Sequence, residues 1–132
     1  MSVTPDSQAT ESIRTVVTIA MTARSLATDS NERLPEMFAT PFMIANMERA
    51  CANLLSPLLA PGELSVGAKI EVAHLAPTPV GANVTCSARF VEYQAPLYWF
   101  EVWAEDDRRR IGKGRIARAI VKEQDLIARA SS

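Results

Sequence analysis

His74 is the sole histidine of the chain, and so the one side chain whose ordinary pKa lies near neutrality, as general acid and base catalysis requires. Two more residues have surroundings that suit chemistry. Thr40 stands before Pro41 at a helix start, where free backbone N–H groups receive an anion or a developing oxyanion. Glu48 falls on the apolar stripe of the same helix, four residues after Ile44 and three before Cys51. A carboxylate placed there must be paired or keep its proton, and both conditions are common in reacting sites. Each residue also has a structural explanation without chemistry. His74 fits a core histidine bonded to a carbonyl, Glu48 a boundary residue whose head reaches water, and Thr40 an N-cap.

The helix carrying Thr40 and Glu48 is predicted from an N-cap at Thr40 to about Leu59, ahead of Pro61 and Gly62. Asn46, Arg49, Asn53 and Ser56 form its solvated stripe, and Ile44, Cys51 and Leu55 lie on a different, apolar face. Before it, Arg14 to Met21 reads as a strand with Val17, Ile19 and Met21 on one face, followed by a polar connection from Asp29 to Pro35. After Gly67 the period becomes two. Ala68, Ile70, Val72 and His74 oppose Lys69 and Glu71; Val84, Cys86, Ala88 and Phe90 alternate with polar residues; Tyr98, Phe100, Val102 and Ala104 oppose Trp99, Glu101, Trp103 and Glu105. The short link Gln94-Ala95-Pro96 makes the last two segments an antiparallel pair. A polar turn from Asp106 to Arg110 leads into Ile111 to Val121, and Lys122 to Ala130 suits a short tail helix. By parity His74 belongs to the sheet face that meets the helix, so its imidazole and the Glu48 carboxylate point into one interface.

One strand, one long helix and a run of antiparallel strands make an α+β protein in which a sheet wraps around a single central helix, the hot-dog arrangement. At 132 residues one domain accounts for the whole of 1–132, with 1–12 read as a frayed leader. The outer sheet face carrying Trp99 and Trp103 would be left partly bare, which calls for a homodimer or larger homo-oligomer. A hydrophobic share of 48% and a charged share of 22% fit a globular protein, and no apolar run approaches the length needed to span a bilayer. A net charge of −1 supplies no field to gather nucleic acid or an anionic membrane surface. With no basic-plus-apolar signal at the N-terminus, a cytoplasmic protein is expected.

Cys51 and Cys86 fit no metal-ligand spacing, so no metal site is indicated and both read as small buried hydrophobes. No GxxxxGK[ST] or GxGxxG context surrounds Gly112 and Gly114, so no nucleotide-cofactor motif is present, and no GxSxG elbow occurs. The run Arg108, Arg109, Arg110, Lys113 and Arg115 reads first as a solvated hairpin and second as a contact for the phosphates of a nucleotide-like carrier.

The stretch from Phe38-Ala39-Thr40-Pro41-Phe42 through Glu48-Arg49-Ala50-Cys51 resembles the fluoroacetyl-CoA thioesterase-like family of hot-dog proteins. The likeness continues through Leu59-Ala60-Pro61-Gly62-Glu63, Ser65-Val66-Gly67 and Val72-Ala73-His74-Leu75-Ala76-Pro77-Thr78-Pro79-Val80-Gly81, and covers about Phe38 to Val121. The resemblance implies a catalytic set for acyl-CoA hydrolysis. Thr40 would be nucleophile or water-positioning hydroxyl, His74 the acid/base, and Glu48 the carboxylate that orients the imidazole or activates water. It further implies an oxyanion donor at the Gly67 N–H and a substrate-binding role for the retained Arg118. Two departures stand out. Asn31 to Pro35 lacks the phenylalanines that gate the fluoroacetyl-specific site, and Ile116 replaces a histidine of the family pattern. The expected activity is therefore hydrolysis of a short or medium acyl-CoA, with a fluorinated substrate not implied. A non-catalytic hot-dog module binding an acyl-CoA or other apolar ligand is the alternative, and a hot-dog dehydratase a third reading.

Overall fold

Pro41 and Pro57 bracket the main helix. Proline is tolerated in the first turn, where its missing N–H has no partner to lose, and it ends an α-helix one turn later because it cannot donate. The computed structural model describes residues 3–132 and places α1 at Thr40–Leu55, followed by a short 3-10 turn at Ser56–Leu58 rather than continued α-helix to Leu59. Ala39, not Thr40, is the N-cap: its carbonyl accepts from the Phe42 and Met43 N–H groups at 3.0 and 3.2 Å. Thr40 is thus the first helical residue, and its hydroxyl is free of capping.

Around α1 curl five strands, β1 (Thr10–Val16), β2 (Glu63–His74), β3 (Asn83–Gln94), β4 (Leu97–Asp106) and β5 (Arg110–Lys122), with a tail helix α2 (Glu123–Ala130). They form one antiparallel sheet in the order β1-β3-β4-β5-β2, leaving β1 and β2 as its edges. None of the helices in the described residues is long and apolar enough to cross a membrane. The antiparallel sheet wrapped on one central helix is the expected α+β hot-dog architecture.

The first strand lies earlier than its β-branched composition suggests. It begins at Thr10, inside the stretch read as leader, where Thr10 to Ser12 pair with Ser87 to Arg89. Residues 1 and 2 of that stretch lie outside the described residues. The strand ends at Val16 because local bonds win beyond it: the Thr22 hydroxyl donates to the Ile19 carbonyl at 2.7 Å and closes a 3-10 turn over Ile19–Met21.

The buried stripe of α1 is Met43, Met47, Ala50 and Leu54 with Cys51 and Leu55, one position round from the expected stripe, so that Ile44 and Glu48 sit at its margin. Burial pushes the Cys51 and Cys86 thiols up to about 12, which leaves both as inert apolar side chains. On the far face of the sheet, Trp99 is not bare. The Arg115 guanidinium lies 4.5 Å from its ring centroid, tied by Glu92 at 3.0 Å, and only 8% of the Trp99 surface is accessible. Trp103 on the same face stays half-buried beside an open groove, so the face is covered only in part.

Two glycines of β5 set how closely its neighbours approach. A Cβ on Gly112 would meet the Met43 Sδ at 2.6 Å and Cε at 2.8 Å, the free end of a flexible side chain. A Cβ on Gly114 would strike the Glu71 carbonyl and lie 2.7 Å from the Val72 Cα, both backbone of the paired strand β2. Gly114→Ala should thus cost roughly 1–3 kcal/mol as β2 and β5 are forced apart, and Gly112→Ala should cost less because a methionine can swing away. Urea midpoints of the two variants check the order, and equal midpoints would contradict it.

Candidate active site

Thr40 reaches the site because the segment before α1 is clamped on both sides. Ala39 donates to the Met21 carbonyl at 2.8 Å, Phe38 donates to the Thr78 carbonyl at 2.8 Å, and Ala23 donates to the Met37 carbonyl at 2.9 Å. Isolated bridges pair Thr22 with Phe38 and Met37 with Pro79. Thr78 is fully buried, and its hydroxyl donates to Asp106 at 2.9 Å. Burial raises the Asp106 carboxyl, but the Arg108 and Arg109 backbone N–H groups, the Thr78 hydroxyl and the Arg109 charge outweigh it and hold the group below the ordinary carboxylate value. An ionised Asp106 therefore fastens the loop that follows His74 to the β4–β5 turn. Thr78 and Asp106 carried no signal in the sequence, since their contact joins residues 28 positions apart.

His74 ends β2, opposite Gly112 of β5, and its Nδ1 lies 2.7 Å from the Thr40 Oγ1. The tautomer sets which of the two donates. A threonine hydroxyl donating to Nδ1 leaves the proton of the neutral ring on Nε2. Nε2 is buried and has no hydrogen-bond partner among the described residues. Burial lowers the His74 pKa, opposed by a contact with the Ala76 backbone, so the ring is neutral near pH 7 and ready to accept a proton. Pro35, Met37, Phe38, Leu75, Ala76 and Pro77 help to wall a groove of about 430 Å³ on which Thr40 and His74 open.

Glu48 stands elsewhere. Its Oε2 accepts from the Arg118 Nη1 at 2.8 Å, and the Glu48 side chain is 27% exposed against 11% for Arg118. Arg118 is further held by Ser65, donating through Nε to the hydroxyl at 3.1 Å and through Nη2 to the carbonyl at 2.8 Å. Gly67 pairs with Arg118 across β2 and β5, and a Cβ on it would collide with the Glu48 carboxylate. The structure thus accounts for this glycine sterically. Ser65 is a member of this cluster that sequence reasoning missed, and a lone serine on a strand gives no signal.

The five expected site residues therefore fall into two groups. Thr40 and His74 are joined at one end of α1; Glu48, Gly67 and Arg118 are joined further along it. Thr40 and Glu48 are eight residues apart on a continuous helix, a rise of about 12 Å. No hydrogen bond links Glu48 to His74 among the described residues, and none is made to the Glu48 Oε1. The basic residues lie off both groups. Arg108, Arg109 and Arg110 are exposed at the β4–β5 turn, while Arg110, Lys113 and Arg115 border a groove on the outer sheet face beside Glu71, Glu101 and Trp103.

Comparison with known proteins places the chain in a family. The sequence pattern of the fluoroacetyl-CoA-specific thioesterase family matches residues 17–124. A fluoroacetyl-CoA thioesterase of Streptantibioticus cattleyicolor is 40% identical over 102 residues, 76% of this chain and 73% of that protein. Among solved structures, a single-residue mutant of the fluoroacetyl-CoA-specific thioesterase superposes with a TM-score of 0.90 at 33% identity, covering 98% of both chains. A thioesterase-superfamily protein of Thermus thermophilus superposes with a TM-score of 0.87 at 26% identity, covering 99% of this chain and 93% of that one. Both the fold and the sequence lead to one assignment: the chain is a hot-dog thioesterase and belongs to the fluoroacetyl-CoA-specific thioesterase family.

Proposed function

We propose that the protein hydrolyses an acyl-CoA thioester with His74 as general base, at a site completed by Glu48 from a second copy of the chain. The observation that carries this reading is the 2.7 Å bond between the Thr40 Oγ1 and the Nδ1 of a neutral His74. A base held against a hydroxyl at a helix start has the geometry of acyl transfer. His74 takes the proton of the attacking oxygen at Nδ1 and returns it to the departing CoA sulfur. Attack by Thr40 leaves a transient acyl ester on its oxygen, which water must then hydrolyse; attack by a water that passes its proton to Nδ1 through the Thr40 hydroxyl leaves none.

The case for a second copy starts from one incomplete group. With the Thr40 hydroxyl donating to Nδ1, His74 Nε2–H is a buried donor without an acceptor among the described residues, while the Glu48 carboxylate, partly open to solvent, is held away from it by the helix. A buried orphan of this kind costs about 1–3 kcal/mol. Strand β2 supplies the remedy, because it is an unpaired edge and Gly67 to Glu71 along it are exposed. Ile70 shares the core-facing side with its fully buried partner Ile116 but remains 47% exposed, beyond the reach of α1. Antiparallel pairing of β2 with its copy about a two-fold axis near Ile70 covers this edge and sets each His74 opposite the Gly67 end of the partner strand. The Glu48 carboxylate of one subunit then approaches Nε2 of the other, and the Gly67 N–H and Arg118 arrive beside the thioester carbonyl as oxyanion and substrate contacts.

Thiol release from acyl-CoAs tests this directly. His74→Ala should lower kcat by about 10²-fold or more, with Thr40→Ala and Glu48→Gln also impaired at unchanged folding. Trapping an acyl ester on Thr40 identifies it as the nucleophile, and turnover without one identifies water. The acid limb of kcat/KM should report protonation of His74 and should lie lower in Glu48→Gln than in wild type, since a carboxylate beside Nε2 favours the charged ring that burial alone disfavours. Binding of acyl-CoA without hydrolysis, or full activity in His74→Ala, would instead favour a ligand-binding module.

A further inference from the structure

From the groove beside Thr40 and His74 we infer the class of acyl group: an uncharged aliphatic chain of medium length, with the acyl arm and not the CoA arm lying in the groove. This rests on the thioesterase reading above. The thioester carbon sits at Thr40 and His74, so one of its two arms must enter the adjoining space of about 430 Å³. The two arms differ in what they demand. The CoA arm carries two amides, and each amide buried without a partner is penalised; an alkyl chain asks for no hydrogen bond.

The groove has almost nothing to offer an amide. Pro35 and Pro77 have no N–H, and several of the neighbouring backbone groups are already used. The Phe38 and Ala39 N–H groups donate to Thr78 and Met21, the Leu75 N–H donates to Ile111, and the Met37 and Pro35 carbonyls accept from Ala23 and Arg24. Besides Thr40 and His74, no side chain on its lining forms hydrogen bonds or ionises. The wall is instead Met37, Phe38, Leu75, Ala76 and the two prolines, with Phe38 buried and Met37 and Leu75 partly open to solvent. No lysine or arginine lines the groove, so a carboxylate-ended acyl group would lie along an apolar wall without a charged partner from it. An acetyl group would leave most of the groove empty. An extended chain of about six carbons covers Met37 and Leu75 and gains affinity with each methylene, at roughly fourfold apiece.

The test is kcat/KM of the full-length protein for acetyl-, butyryl-, hexanoyl- and succinyl-CoA, read by thiol release. The inference expects a rise of about 30-fold or more from acetyl to hexanoyl, and succinyl at least about 10²-fold below butyryl, which has the same four carbons without the charge. Met37→Asp should shrink the hexanoyl-to-acetyl ratio toward one, whereas Met37→Leu should keep it; the Met37 side chain is partly exposed, so neither change should unfold the chain. Acetyl or succinyl matching hexanoyl in the wild type, or a ratio untouched by Met37→Asp, overturns the inference while leaving the thioesterase reading intact. No thiol release from any of the four overturns both.

Discussion

Eight residues of helix separate Thr40 from Glu48, and the consequences of that spacing run through the molecule. An α-helix is stiff, so a rise of about 12 Å cannot be taken up by side-chain adjustment alone. The first turn and the middle of α1 consequently each build a cluster against the sheet. One is a neutral imidazole bonded to a hydroxyl, and the other a carboxylate neutralised by an arginine that a serine steadies. The first leaves the buried Nε2 of His74 without a partner among the described residues. The edge strand β2 runs past both clusters.

Close packing keeps the clusters in register. Met43 and Met47 of α1 lie on Gly112, which pairs with His74, so the absence of a side chain on β5 sets the depth of the helix at the catalytic end. At the other end Gly67 performs the same service for Glu48. Between Met21 and Ala39, and between Phe38 and Thr78, backbone bonds lock the approach to the helix, and Asp106 anchors the loop that follows His74. Fastening the groove walled by that loop and by the approach segment uses several of its backbone polar groups, and apart from Thr40 and His74 its side chains supply none. The same bonds that position Thr40 thus shape what the acyl side can accept.

Much of this was legible in the sequence. Period-two alternation located β2 to β5 and assigned Val84, Cys86, Ala88 and Phe90 to the core, and the threonine, glutamate and histidine stood out by type and placement. What escaped was decided by contacts distant in sequence or by competing local bonds. The β-branched run through Ile19 reads as strand until the Thr22 hydroxyl is seen to close a turn there. Thr40 reads as an N-cap until its hydroxyl is found on His74. Trp99 reads as an exposed aromatic until Arg115, from the next strand, is laid across it. Parity placed Glu48 and His74 on the two sides of one interface, but parity has no knowledge of distance along the helix, and so it could not show that the two residues belong to separate clusters.

Subunit complementation tests that division most directly. Thr40→Ala and Glu48→Ala protein, each impaired alone, would be mixed, unfolded and refolded together, and thiol release from an acyl-CoA measured. If each site takes Thr40 and His74 from one chain and Glu48 from its two-fold mate, half of the randomly formed dimers contain one intact site, and activity returns to about a quarter of wild type. If each site is built within one chain, every site carries a substitution and the mixture stays as inactive as its components, which would contradict the shared site.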